Sequence, residues 1–502
     1  MFDLAHDDLP EKESSISENK GKKGFDLIER YQIEGENEVV IWHDRERNSY
    51  FYEVKSATEN HADRKTIESL RMKFISSLEE STLSDNERRE KLRTWIQNNY
   101  DGKNQDSSIV RSLVEDLEAS LLGYGRVDAL MKDENVEDIS CGGFLRPVFV
   151  YHKKYGSMET NISFEDEKEV MDFVTRMAER SGAHISVVRP IVECSLPDGS
   201  RFQGTYGEEI TKNGSTFSIR KFLKEVLTPV DLLRNGTMSV DAAAYIWQAV
   251  ESGLSFFIVG GTASGKTTTL NAILLFVPSE KKIISIEDTR ELNIPHSNWI
   301  PLYTRQGKGG TNPNTGKRGG EIDMFDLLTM SLRQRADYIV VGEVRGQEAK
   351  TFFQAMSSGQ STMSTFHASD IASFIHRLEG PPIEIPRALI SSLDIIIFQG
   401  TSEKGGKVSR KVIEILEMEE YEGGELVTRD VLTPETRTIS YSKNSPVIRK
   451  ILSRGKLSYD EIETEIEKKK SFMAEIMKRG NMSGADFSEN LSKYYLLRRE
   501  QR

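Results

Sequence analysis

The octet Gly260-Gly261-Thr262-Ala263-Ser264-Gly265-Lys266-Thr267 follows the apolar run SFFIV and precedes TTLNAILLF. Strand, glycine-containing loop and helix thus stand in the order that the pattern GxxxxGK[ST] requires. The glycines let backbone N–H groups curl round phosphate oxygens, and the start of the helix adds partial positive charge. Lys266 reaches the β- and γ-phosphates of a nucleotide, and Thr267 can ligate Mg²⁺. FFIVGG, KIISIED and DYIVVGE read as buried parallel strands in a sheet covered by helices, which makes the expected class α/β.

Phosphoryl chemistry also needs acids and arginines, and both follow in order. The strand Tyr338–Val341 ends in Gly342-Glu343, where a carboxylate at the sheet's C-terminal edge can face the nucleotide. Glu343 can orient the attacking water or support Mg²⁺; the alternative is an ordinary surface acid. Asp337, at the start of that strand, reads as structural. Ile286-Glu287-Asp288-Thr289-Arg290-Glu291 puts three carboxylates within five positions where another strand stops. One of them can act as a base or ligate Mg²⁺ through water, whereas the plainer alternative is a helix N-cap at Asp288 or Thr289 with solvated acids.

Arg201 and Arg220 fall in strands of an earlier unit, and Arg333, Arg335 and Arg345 flank the Glu343 strand. Each is either a guanidinium that stabilises the transferring group or a surface ion pair. His367, in STFHASD, can sense a γ-phosphate or be an ordinary structural histidine. Gly307–Gly320 forms a basic glycine-rich loop, either a lid or a hairpin tip.

At about 150 residues per domain, 502 residues predict roughly three domains. Residues 1–24 have the polar composition of a disordered leader. Residues 25–105 form an N-terminal module in which VVIWHD and YFYEV read as a strand pair, with helices over 67–78 and 84–98. Gly102–Ser108 is a plausible linker. Residues 106–227 read as an α+β domain with turns at LPDGSR and TKNGST, and 228–435 as the nucleotide-binding domain. Residues 436–502 read as a helical, exposed tail, with capping-box spacing at Ser458 and Glu461.

The 79 acidic and 67 basic residues give a net charge of −12, which argues against coating nucleic acid. The two cysteines, Cys141 and Cys194, supply neither a CxxC metal pair nor a disulfide framework, which fits a reducing cytoplasmic compartment. With no apolar run of about 18 residues, any membrane role is expected to be peripheral.

The ordered set GGTASGKTTT, SIEDTREL, LRQRADYIVVGEVRGQEA and STFHASD resembles the secretion ATPase family, which powers type II secretion, type IV pili and related filaments. The phrases EDISCGGFLRPVFVYH, IPHSNWI and EIDMFDLL are most similar to its archaeal branch, which includes the archaellum motor ATPase. The resemblance implies a RecA-like P-loop NTPase core preceded by an α+β domain. It also implies ATP and Mg²⁺ held by Gly260, Gly261, Thr262, Ala263, Ser264, Gly265, Lys266, Thr267 and Thr268. Glu343 then matches the Walker B glutamate, Glu287 the Asp-box acid, His367 the His-box histidine, and Arg201 and Arg220 the arginines directed at the phosphates. Family members are typically hexamers at the cytoplasmic face of the membrane, docked to a polytopic platform protein and acting indirectly on pilins or secreted substrates. One position departs from the pattern: Gln360 stands where the family usually starts its His box with a histidine. The expected function is an ATP-hydrolysing motor; an ATP-gated assembly scaffold and a nucleic-acid translocase are the alternatives.

Overall fold

The computed structural model describes residues 24–33, 37–56, 64–77, 85–99, 114, 116–222, 226–305, 307, 310, 316–404, 407–419, 425–433, 438–454, 457–480 and 482–500. The expected leader, apart from Gly24, the expected linker and part of the Gly307–Gly320 loop lie outside these residues. The chain divides into two compact units, Met1–Val192 with Gln203–Ile219, and Glu193–Phe202 with Arg220–Arg502.

The first unit carries β1 (Phe25–Gln32), β2 (Asn37–Asp44), β3 (Ser49–Ser56), β4 (Val136–Cys141), β5 (Pro147–His152) and β6 (Gly156–Ser163). The division between the units runs through β7 (Ile191–Ser195), β8 (Arg201–Thr205) and β9 (Phe217–Arg220). The sheet order is β1-β2-β3-β6-β5-β4-β9-β8-β7. Among the described residues three strands, rather than the expected pair, come first. β1 mixes charged with apolar residues and leaves Leu27 and Ile28 exposed at the sheet edge, so no apolar run marks it. β3 pairs in parallel with β6, Phe51 opposite Glu159, so the sheet continues across residue 105. Tyr31 of β1 and Tyr52 of β3 both donate to Asp133 Oδ2, at 2.7 and 2.6 Å, and tie these strands to the segment before β4. The helix Glu167–Arg180 is N-capped by Asp166 and buries Phe173 against Phe164 and Phe217, with ring centroids 5.7 and 4.5 Å away.

The second unit is a parallel sheet with an antiparallel extension: β10 (Phe256–Gly260), β11 (Ile283–Glu287), β12 (Trp299–Tyr303), β13 (Tyr338–Glu343), β14 (Ser361–Phe366), β15 (Ile395–Lys404), β16 (Lys407–Met418) and β17 (Thr428–Leu432). Their order is β12-β11-β13-β14-β10-β15-β16-β17. The strands from β12 to β15 pair in parallel, and β16 and β17 add antiparallel to β15. Side chains alternate between the two faces of a strand, and here both faces are buried. Phe256 and Ile258 of β10, with Tyr338 and Val340 of β13, enter one core together with the helices Val240–Glu251 and Lys266–Leu274. Phe257, Val259, Ile339 and Val341 enter the other, against the helices Glu348–Ser357 and Ile371–Glu379.

The C-terminal segment corrects the expected exposed tail. The capping box at Ser458 and Glu461 does start a helix, Tyr459–Lys478, and a second follows over Gly484–Glu500. Ile462, Ile466, Met473 and Ile476 of the first, with Phe487 and Leu491 of the second, are buried in the same core as Trp247 and Phe276. A buried charge cluster fastens the first helix down. The fully buried Lys469 Nζ donates to Glu251 Oε2 at 2.5 Å and Gln248 Oε1 at 2.6 Å, and Arg498 pairs with both Glu251 and Glu465. Mixed charges in the sequence conceal this, because the apolar and paired charged residues share one inward face.

Candidate nucleotide site

The apolar strand β10 ends at Gly260, and its loop enters the helix Lys266–Leu274. Two backbone features require glycine. A Cβ on Gly260 would collide with the carbonyl oxygen of Gln399 on neighbouring β15. Gly265 caps the helix at φ +89°, and a Cβ there would lie 3.0 Å from Gln399 Nε2 and 3.2 Å from Arg410 Cδ. Ala263 also takes a positive φ, +57°. Ser264 Oγ and Lys266 Nζ both donate to Gly261 O, at 2.9 and 2.7 Å. Thr267 and Thr268 are half-buried in the first helical turn. The arrangement is a glycine-containing loop at a helix start, a geometry that can receive a phosphate.

The acid meets the loop through a histidine. His367 Nδ1 lies 3.4 Å from Lys266 Nζ, and His367 Nε2 lies 3.1 Å from Glu343 Oε1. Burial pulls His367 below its ordinary pKa against the opposing influence of Glu343. A neutral ring accepts from Lys266 at Nδ1 and donates from Nε2 to Glu343. Burial likewise lowers Lys266, opposed by Glu343 and then Glu291. Arg345 pairs with Glu343, and that hydrogen bond raises the arginine's own pKa.

Glu343 reaches this position because of a bulge. Pairing between β13 and β14 slips between Val341 and Glu343, which leaves Gly342 as the extra residue and re-aims the acid. Thr365 Oγ1 donates to Gly342 O at 2.7 Å and fixes the bulge, while a Cβ on Gly342 would sit 3.1 Å from Glu287 Cγ.

Glu287 therefore stands directly behind the Glu343 turn. It is 2% exposed, and its Oε1 accepts from the backbone N–H groups of Glu291 and Leu292 at 3.0 and 2.9 Å. Its Oε2 is buried without a partner, and burial pushes the carboxyl up to about 8. Burial thus favours the protonated carboxyl, whose Oε1 organises the turn by accepting the two backbone N–H groups. No helix begins at Asp288 or Thr289, which removes the N-cap alternative for this stretch.

The remaining candidates make contacts of their own. Arg201 pairs with Glu193 of β7, and Arg220 ends β9 with an exposed side chain. Asp337 pairs with Lys281 and accepts from Lys282 N, a structural role. Gln360 directly precedes β14 and His367 follows its other end, so the two are on the order of 20 Å apart at strand rise. The departure at Gln360 falls at the opposite edge of the sheet from Lys266. Two residues beside the loop escaped the sequence reading: Gln399 at the end of the apolar part of β15, and Arg410 on β16. Arg410 Nε donates to Ala263 O at 2.9 Å, a contact between residues 147 positions apart that no local pattern signals.

Residues 146–462, more than half of the chain, match the family described as "Type II/IV secretion system protein". The chain belongs to this family. An uncharacterized protein of Methanocaldococcus jannaschii is 42% identical over 317 residues, covering 63% of this chain and 56% of the relative. The chain thus spans little more than half that relative's length. A probable conjugal transfer protein TrbB of Sinorhizobium fredii is 30% identical over 50% of this chain and 75% of its own length. Among solved structures, the Legionella pneumophila ATPase DotB aligns over 70% of this chain and 85% of its own, with TM-score 0.42 and 15% identity. Among the described residues, no helix is long and apolar enough to cross a membrane.

Proposed function

We propose that the chain is an ATP-hydrolysing motor that powers assembly of a type IV pilus-like filament or secretion across the cytoplasmic membrane. The observation that carries this reading is the connected line Lys266–His367–Glu343 at the C-terminal edge of a parallel sheet. Gly260 to Thr268 hold the phosphates, and Lys266 leaves the Gly261 carbonyl to bind the β- and γ-oxygens. Glu343 orients the attacking water. His367 exchanges its Lys266 contact for the γ-phosphate, so the acid feels whether nucleotide is present. Glu287 holds the turn behind Glu343, and Arg201 and Arg220 are the arginines that meet the transferring group.

The donor set suits Mg²⁺, since Thr267 offers a hydroxyl and Glu343 a carboxylate, both hard oxygen ligands. Among the described residues no cluster of three or more His, Cys, Asp or Glu could hold a metal unaided, so the ion would arrive with the triphosphate. Bound there, Mg²⁺ would supply charge neutralisation for the β- and γ-oxygens. A homo-oligomer, most simply a hexamer, docked from the cytoplasm on a polytopic membrane protein completes the reading.

The test is Mg-ATP turnover against protein concentration for the native chain and Glu343→Gln, with nucleotide binding measured in both. The motor requires turnover that rises with oligomerisation and vanishes in Glu343→Gln while binding persists. Binding without turnover at any concentration points to the scaffold instead, and salt-sensitive polynucleotide binding to a translocase.

A further inference from the structure

The side chains that shape the phosphate loop do not all come from the loop. β15 and β16 form a long hairpin in which Thr401 stands opposite Arg410. The Arg410 stem crosses Gly265, its Cδ 3.2 Å and its Cβ 3.9 Å from where a Gly265 Cβ would lie, and its Nε reaches Ala263 O. Ala263 is the one non-glycine residue of the loop held at positive φ, +57°. An L-residue adopts that conformation only at a cost, so something outside the backbone must favour it. Beneath the same glycine lies Gln399, 3% exposed, with its Nε2 beside Gly265 and its Oε1 buried without a partner.

When phosphate draws Lys266 away, the loop loses one of the internal bonds to Gly261 O that close it in this structure. The Arg410 bond uses Ala263 O, a different acceptor from the Gly261 O that holds Lys266, and does not compete with phosphate for the lysine. It can therefore hold the loop's shape in both the free and the occupied protein.

We propose that Arg410 is a positioning residue of the nucleotide site: from the β15–β16 hairpin it pins Ala263 in its left-handed conformation and so keeps the phosphate cradle formed before nucleotide arrives. The proposal rests on the nucleotide-binding reading above. It assigns Arg410 to affinity and leaves the hydrolytic step to other residues, because a loop formed in advance binds without an ordering cost.

The experiment titrates a fluorescent ADP analogue into the full chain and into Arg410→Ala, Ala263→Gly and the double variant, with Lys266→Ala as the non-binding control. Arg410→Ala should weaken binding roughly fivefold, the worth of one hydrogen bond, and raise KM for ATP with kcat nearly unchanged. In the Ala263→Gly background, where positive φ needs no outside support, the Arg410→Ala effect should shrink to less than twofold. Arg410→Lys, which keeps one donor on a similar stem, should recover part of the affinity. Unchanged affinity in a folded Arg410→Ala, an equal loss in both backgrounds, or a fall confined to kcat each overturns the proposal. No binding by the native chain overturns the nucleotide reading itself, and this proposal with it.

Discussion

Replacing Glu251 by Gln should be among the most destabilising single-atom-scale changes in the second unit. Glu251 carries a negative charge between Lys469, whose side chain is fully buried, and Arg498, while Glu465 offers Arg498 a second carboxylate at 2.8 Å. The two acids balance the two bases. Burial alone would raise the Glu251 carboxyl, but Lys469 and Arg498 outweigh it and hold the group below its ordinary range. In Glu251→Gln the amide can still accept a hydrogen bond, yet Lys469 is left as a buried cation with uncharged partners, Gln248 among them. Breaking a buried pair in this way costs about 3–5 kcal/mol. For a unit of this size that corresponds to a fall in Tm of roughly 5–8 °C. The double variant Glu251→Gln, Lys469→Met removes the orphaned charge and should recover most of the loss, since an apolar replacement for a buried pair is often neutral. Urea unfolding followed by tryptophan emission is the assay. Trp247 is its natural reporter, because Lys469 Nζ lies 5.2 Å from its ring centroid and its Nε1 donates to Tyr495 Oη at 2.8 Å. A Glu251→Gln protein within about 1 kcal/mol of the native chain, the ceiling for an exposed ion pair, would refute the reasoning. So would a double variant no more stable than the single one.

Other consequences concern the acid behind the loop. Gly342→Ala brings a methyl group 3.1 Å from Glu287 Cγ at the bulge that aims Glu343, so turnover should drop at least tenfold while binding of the ADP analogue holds. Glu287 titrates at about 8 when folded and at the ordinary carboxyl value when unfolded, so between those pH values only the folded chain holds the proton. Its stability contribution therefore falls as pH rises through that window, by up to about 1.4 kcal/mol per pH unit. Glu287→Gln keeps an oxygen for the Glu291 and Leu292 N–H groups and removes the titration. Urea midpoints between about pH 5 and 8 should decline less steeply in this variant, and an unchanged slope would contradict the raised Glu287 carboxyl.

The loop and the strands that feed it were legible because their chemistry is local. Gly260 to Thr267 is contiguous, and β10, β11 and β13 are runs of large apolar residues that only a sheet covered on both faces accommodates. β14 hid itself by composition. Its residues Ser361 to Phe366 are all buried, but four of the six are Ser or Thr. They sit in the core because their hydroxyls find partners there: Ser361 on Leu254 O at 2.9 Å, Thr365 on Gly342 O, and Thr362 on Ser255 Oγ at 3.2 Å. The position of Gln360 was unreadable for a related reason, since without β14 its end of the sheet cannot be assigned. Arg345 and Glu291 were visible as residues but not as neighbours of Lys266, and Arg410 lacked any sequence signal because tertiary pairing alone brings it to Ala263.

The interior contributed by the last two helices sets an order of events during synthesis. Phe256 and Ile258 of the phosphate-loop strand, and Trp247 before them, share their core with Met473, Phe487 and Leu491. A ribosome adding about 5–20 residues per second leaves that apolar face uncovered for on the order of ten seconds or more after the loop itself has emerged. The nascent chain thus has the Gly260–Thr267 loop sequence in solution well before the wall that packs behind its strand exists.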